Sequence, residues 1–192
     1  MKTLHVAIII ALSAPVLFAQ PREGRTRELS LSGSFQSYST ETSSYYESGS
    51  GTASAFLVSP RLGFFVFEGL ELEPEILFLF SSGDDPVYVL NGNVSYNFLS
   101  EGNGVPFLLI GYGLANTVPF FNVPLTRSDF TIGVLNAGGG VKVFLKEDIA
   151  FRIEYRYQLF SGKGKTTYYD FSSTRVVNTR IHSVQFGLSI LL

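Results

Sequence analysis

The stretch FRIEYRYQ (residues 151–158) alternates strictly between two kinds of side chain. Phe, Ile and Tyr occupy the odd-numbered positions, whereas the even-numbered positions hold Arg152, Glu154, Arg156 and Gln158. Because successive side chains of a strand point to opposite sides, this alternation predicts a β-strand with two different faces. The fold depends on whether the charged face meets water or a closed interior.

Seven further segments alternate in the same way, which gives eight candidate strands. They are residues 28–39, 53–66, 70–80, 87–98, 105–117, 130–145, 149–160 and 179–192. Each is long enough to cross a bilayer, for which a strand needs about 9–11 residues. Strands of soluble proteins are shorter on average, about 5–6 residues.

The connections between these segments alternate in length. The short ones are residues 67–69, 99–104 and 146–148, and the others are 40–51, 81–86, 118–129 and 161–178. Short turns at one end and longer loops at the other are typical of an up-and-down barrel in an outer membrane.

The N-terminus predicts export. Lys2 precedes an apolar run over residues 4–18, and Ala19 suits the last position before cleavage, so that Gln20 starts the mature chain. The alternative is an uncleaved anchor helix, but the run is shorter than the ~20 residues of a spanning helix and Pro15 interrupts it. We therefore expect a signal peptide over residues 1–19, a periplasmic lead-in over 20–27 and a barrel domain over 28–192.

The composition limits the classes of partner and of chemical site that can be expected. The net charge of −2 gives no reason to expect a nucleic-acid partner. The chain contains no cysteine, which excludes disulfides, thiolate metal sites and a cysteine nucleophile.

An all-β, eight-stranded antiparallel up-and-down transmembrane β-barrel accounts for the charged faces. Strands survive in lipid only in a closed barrel, whose outward face is apolar and whose inward face is polar. The charged residues of the strands then form a lumen ion-pair network: Arg61, Glu71, Glu73, Glu75, Lys142, Arg152, Glu154 and Arg156. The number of acids equals the number of bases, as buried charges require pairing.

The third and seventh strands of such a barrel lie on opposite walls. Its lumen is just wide enough for side chains to fill, so we expect Glu and Arg to meet across it. The alternative is a soluble barrel or sandwich that keeps these charges in water.

The last residues, QFGLSILL, resemble the C-terminal assembly signal that the barrel-insertion machinery of outer membranes reads. The positions that carry this resemblance are Gln185, Gly187, Ile190 and Leu192. Such signals usually end in an aromatic residue, where this chain has Leu192.

Residues 28–192 as a whole resemble the small eight-stranded outer-membrane proteins of the OmpA-like and OmpX-like group. The stretches that carry the resemblance are VPFLLIGYG (105–113), NAGGGVKVFLKEDIAFRIEYRYQ (136–158) and HSVQFGLSILL (182–192). The resemblance implies the barrel fold, a place in the cell outer membrane, and outer-membrane lipid and the barrel-assembly machinery as partners. It leaves the activity open, because the group includes anchors, adhesins and host-interaction proteins.

The sequence gives little sign of chemistry in the barrel. His182 is expected at the lipid interface, and the adjacent Ser183 points to the opposite face, so the two cannot act together. We expect no catalytic residue, no metal and no cofactor. The expected role is structural, or surface interaction with an extracellular or host ligand through the loops. The alternatives are a narrow ion or small-solute channel, a lipid A-modifying outer-membrane enzyme and a soluble ligand carrier.

Overall fold

The fold is a closed barrel of eight antiparallel strands, each paired with the next along the chain. This computed structural model describes residues 26–43, 48–81, 86–98, 102–116, 131–168 and 171–192. The strands are β1 (Arg27–Ser43), β2 (Ser48–Phe67), β3 (Leu70–Ser81), β4 (Val87–Asn97), β5 (Gly104–Ala115), β6 (Thr131–Phe144), β7 (Ile149–Tyr168) and β8 (Phe171–Leu191). β1 pairs with β8 from Glu28↔Leu191 to Gly33↔Phe186, which closes the sheet. The predicted fold class is confirmed.

The two ends of the barrel differ. The turns after β2, β4 and β6 lie at one end, together with the start of β1 and the end of β8, and we call this the turn end. The opposite end, where β1, β3, β5 and β7 finish, is called the loop end. Within the described residues, no helix is long and apolar enough to cross a membrane.

The β2–β3 connection shows why the turn end is tight. Gly69 has φ = 75°, a left-handed conformation that side-chain-bearing residues rarely adopt. A Cβ there would lie 2.6 Å from the carbonyl oxygen of Asn97, whose own amide donates to the Gly69 carbonyl at 2.7 Å. Glycine therefore lets this turn pack directly against the end of β4.

Side chains alternate between the two faces of the sheet, as the sequence pattern predicts. Over the 11 residues of β4, buried and exposed positions alternate without a break. In the opening stretch, Arg152, Glu154, Arg156 and Gln158 are buried, while Tyr155 is half exposed on the outer surface. The charged face is the interior face.

The two terminal hairpins are longer than the sequence predicts. Residues 40–51 and 161–178 are predicted loops, but β1 continues to Ser43, β2 begins at Ser48, β7 continues to Tyr168 and β8 begins at Phe171. These segments lack apolar–polar alternation, which is the only strand signal that the sequence offers. Backbone hydrogen bonding between paired strands does not itself require such alternation.

Three other predictions fall on parts of the chain that the structure leaves undescribed. The signal peptide over residues 1–19 lies outside the described residues, as do all or most of the connections predicted at 81–86 and 118–129. These remain predictions.

Candidate functional site

The lumen of the barrel is filled by a polar layer toward the turn end and an apolar layer toward the loop end. The eight residues of the predicted ion-pair network all lie in the polar layer, and each side chain is 3% exposed or less. They come from β2, β3, β6 and β7. Because the inward-facing positions of these four strands share one lumen, the eight side chains meet there.

A square of two acids and two bases occupies the middle of the lumen. Arg61 pairs with Glu75 at 2.8 Å and with Glu154 at 2.7 Å. Arg156 contacts the same two carboxylates, both at 2.6 Å. The contact between Glu75 on β3 and Arg156 on β7 joins opposite walls of the barrel, so side chains cross the full width of the lumen.

A second group of ion pairs lies closer to the turn end. Lys142 donates to Glu28 at 2.6 Å and to Glu71 at 2.8 Å. Arg152 contacts Glu73 and Glu154, both at 3.0 Å. Because Glu154 belongs also to the central square, Arg152 links the two groups into one network.

Neutral side chains donate further hydrogen bonds to these acids. Glu75 accepts from the amides of Asn91 at 3.0 Å and Asn93 at 2.9 Å, and also from the hydroxyl of Ser59. Ser95 donates to Glu73 at 2.5 Å, and Asn97 donates to Glu71 at 3.1 Å. Buried charges are tolerated only when they are both paired and hydrogen-bonded. Each charged side chain of this layer has an ion-pair partner, but among the described residues Glu71 Oε1, Arg152 Nη1 and Arg156 Nη2 have no hydrogen-bond partner.

Two members of the network were not singled out from the sequence. Glu28 is 2% exposed and contacts Lys142, which makes five buried acids against four buried bases among the described residues. Glu28 lies two residues before Ser30 and four before Ser32, which both face the lumen. The alternation of β1 could therefore have identified Glu28 as an inward-facing residue. Phe107 lies beneath Arg152, whose guanidinium carbon is 4.2 Å from the ring centroid, a cation–π distance.

The apolar layer departs further from the sequence-based prediction of the lumen than Glu28 and Phe107 do. It is made of the inward side chains of Ala55, Leu57, Leu77, Leu79, Val87, Val89, Ile132, Val134, Phe160 and Ile181, all 6% exposed or less. Below it, Gln158 donates to Asn136 and Asn136 to Asn91, both at 2.9 Å, which forms a polar belt between the two layers. The predicted ion-pair network therefore occupies the half of the lumen toward the turn end, and apolar side chains that the sequence pattern did not assign to the lumen fill the other half.

The residues of the predicted assembly signal divide between the two faces of β8. Gln185 and Gly187 are buried in the lumen, and Ile190 and Leu192 are exposed on the outer surface. Gln185 also accepts a hydrogen bond from Arg61 at 2.7 Å, so it belongs to the network. Its role in assembly remains a prediction.

His182 lies on the outer surface, as the alternation predicts. Tyr155 Oη is 2.6 Å from His182 Nδ1, whereas the adjacent Ser183 is 3% exposed and faces the lumen. The histidine and the serine therefore belong to different environments. Among the described residues, no group of three or more His, Asp or Glu side chains is arranged to hold a metal ion.

Comparison with known proteins supports the fold. No protein-family model matches the chain, and no curated protein matches it. The crystal structure of Neisserial surface protein A is similar, with a TM-score of 0.55 and 16% identity over 86% of this chain and 97% of that one.

Two further solved structures align less closely. They are outer membrane protein OprG from Pseudomonas aeruginosa (TM-score 0.46, 14% identity, covering 86% of this chain and 97% of that one) and outer membrane protein AlkL in lipid bilayers (0.43, 13%, 88% and 90%). The chain has the fold of the small eight-stranded outer-membrane β-barrels.

Proposed function

We propose that this protein is an integral outer-membrane barrel that conducts neither ions nor solutes and acts as a rigid anchor for its loop-end hairpins. The role of the anchor is structural, or contact with an extracellular or host surface ligand. The observation that carries the proposal is the combination of an apolar exterior with a lumen closed by two successive layers.

The apolar exterior of the sheet supports the proposal that the barrel lies in lipid. Large apolar side chains cover the outward positions, for example Leu31, Leu90 and Ile110, which are 57%, 61% and 61% exposed. A strand of 11 residues such as β4, tilted by about 40°, spans ~28 Å, which matches an apolar band ~25 Å tall. An apolar surface that encircles a protein would aggregate in water but is stable among acyl chains.

The side chains that fill the lumen support the proposal that the barrel does not conduct. An ion that enters from the turn end meets Arg and Glu side chains that already bind each other across the lumen, as Arg156 and Glu75 do at 2.6 Å. An ion that passed this network would then meet the apolar layer, whose described inward side chains offer it no polar partner. Either layer alone opposes conduction, and together they close both halves of the pore.

The terminal hairpins support a role at the loop end. β7 has 20 residues and β8 has 21, whereas β4 crosses the barrel with 11. At ~2.5 Å of height per tilted residue, the β7–β8 hairpin extends ~20 Å beyond the apolar band. Paired strands hold such an extension in a fixed direction, which suits presentation to a partner.

Three further proposals complete the function. We propose no catalytic activity, since His182 and Ser183 occupy opposite faces of the sheet. We also propose that residues 1–19 direct export and that the C-terminal strand is recognised by the barrel-assembly machinery.

Fractionation tests the location. The full chain, expressed in a diderm bacterium, should enter the outer membrane, change its gel mobility on boiling and begin at Gln20. Recovery in the soluble periplasm would overturn the proposal.

Conductance in planar bilayers tests closure. The purified barrel should give no single-channel events at either polarity. Discrete events whose size changes in Arg156→Ala would instead establish the narrow channel. Altered lipid A on expression, abolished in His182→Ala, would establish the enzyme.

A further inference from the structure

A polar group interrupts the apolar exterior of β7 and β8. It consists of Tyr155, Tyr157, Arg180 and His182, which we call the tyrosine–histidine patch. Tyr155 Oη lies 2.6 Å from His182 Nδ1, and the Tyr157 and His182 rings are 5.0 Å apart between centroids. Arg180, exposed at the next outward position of β8, pairs across the strands with Leu159.

The patch lies at one edge of the apolar exterior. Between it and the turn end, the outward positions of β8 hold Val184, Phe186, Leu188 and Ile190, which are 49%, 52%, 52% and 41% exposed. Ten residues separate His182 from Leu192, a height of ~25 Å for a tilted strand and therefore one full apolar band. Arg180 lies ~5 Å further out, at the level of lipid headgroups.

The charge of the patch is positive and accessible. Arg27 and Lys146 are also exposed, but both lie at the turn end. Among the described side chains, Arg180 is the one base that faces outward in the loop-end half of the barrel, and no described carboxylate pairs with it. A guanidinium presents a planar fork of donors that matches the oxygens of a phosphate.

The histidine adds a donor in the same place. When Tyr155 donates its hydroxyl proton to Nδ1, the imidazole carries its own proton on Nε2, which then serves as a donor to a ligand. The rings of Tyr155 and Tyr157 on the neighbouring strand β7 provide apolar contact below the headgroup level, where aromatic residues of membrane barrels concentrate. Cationic, neutral-donor and apolar groups thus follow one another across ~10 Å of barrel height.

We propose that the tyrosine–histidine patch binds the phosphate of a lipid headgroup in the leaflet at the loop end. Arg180 contacts the phosphate, His182 donates to it, and Tyr155 and Tyr157 contact the glycerol or sugar and the first acyl carbons. The occupant is a lipid rather than free phosphate, because the patch faces the bilayer and continues directly into the apolar band. This inference rests on the membrane location proposed above.

Histidine NMR gives a direct test, since the chain contains only His5 and His182. Full-length protein labelled on histidine is exported, reconstituted in phosphatidylcholine vesicles and titrated with phosphatidic acid. The His182 signal, assigned with His182→Gln, should shift with phosphatidic acid and remain unchanged with inorganic phosphate. A shift produced equally by inorganic phosphate, or no shift with either, overturns the proposal.

Matched variants identify the contact. In Arg180→Gln the apparent affinity for phosphatidic acid should fall about tenfold, the loss expected for one hydrogen bond to a charged group. Arg27→Gln removes an exposed base at the turn end and should leave the affinity unchanged. Equal losses in the two variants, or none in Arg180→Gln, contradict a site at the patch. Mobility change on boiling verifies folding in each variant, and a protein absent from the membrane fraction refutes the membrane location instead.

Discussion

Glu154 should be the acid on which the lumen network depends most. Its carboxylate contacts three guanidinium groups, those of Arg61 at 2.7 Å, Arg152 at 3.0 Å and Arg156 at 2.6 Å. Glu154→Gln removes the charge but preserves the shape. The amide nitrogen of the new side chain then points a donor at groups that are themselves donors, and three buried cations lose their shared counter-charge.

Glu71→Gln provides a control with the same chemical change. Glu71 contacts one base, Lys142, which keeps its pair with Glu28 at 2.6 Å. Each substitution lowers the number of buried acids from five to four, so the net charge of the lumen is identical in the two variants. The two variants differ in how many buried cations lose an ion-pair partner, which is three in Glu154→Gln and one in Glu71→Gln.

The expected magnitudes follow from this difference. Removal of one partner from a buried ion pair costs about 3–5 kcal/mol, and we expect this range for Glu154→Gln. Loss of one hydrogen bond to a charged group costs about 1.5–3 kcal/mol, and the surviving Glu28 contact should keep Glu71→Gln near the lower limit. The free energies of unfolding should therefore differ by ~2 kcal/mol between the variants.

Urea unfolding in lipid vesicles measures the difference, with far-UV circular dichroism as the signal. The slope against urea should be the same for both variants, because each exposes the same surface on unfolding. Equal losses of stability would refute the reasoning, and so would a larger loss for Glu71→Gln, since then the number of contacted bases would not decide the cost.

Two further predictions compare positions inside and outside the barrel. Leu77→Ala in the apolar layer should lower the free energy of unfolding by about 2–5 kcal/mol, because it leaves a cavity. Leu90→Ala on the outer face should lower it by less, because lipid tails fill the space. Equal losses would contradict a packed lumen. Gly63→Ala should cost about 1–3 kcal/mol, since the new methyl group collides with the Glu71 carboxylate, whereas Gly92→Ala meets no atom within 4 Å. Both pairs are measured by the same urea titration, and a neutral Gly63→Ala would show that the Glu71 carboxylate moves aside without loss of stability.

The sequence determines the faces of the strands well because alternation is a local property. Arg152, Glu154 and Arg156 point the same way in any strand that contains FRIEYRYQ, and the apolar residues between them leave lipid as the consistent environment for the other face. Closure into eight strands follows from counting such segments. The assignment of the faces does not depend on contacts between distant residues.

The pairing within the lumen is less accessible from sequence. Arg61 and Glu75 are direct neighbours across β2 and β3, but the contact of Arg61 with Glu154 depends on the curvature and stagger of the closed barrel. The apolar layer left a weaker signal, because residues such as Leu57 and Leu77 lie in runs that are apolar on both faces. In those runs alternation no longer distinguishes the lumen from lipid.

The central claim is that the exterior of the barrel meets lipid while the interior is sealed, and two adjacent residues of β8 test it most directly. Ser183 is 3% exposed in the lumen and Val184 is 49% exposed on the outer face. Because the chain contains no cysteine, Ser183→Cys and Val184→Cys each introduce a single thiol. In vesicle-inserted protein, the thiol at 184 should react with a lipid-soluble maleimide and resist a water-soluble one, and the thiol at 183 should resist both. Rapid reaction of either thiol with the water-soluble reagent would contradict the account.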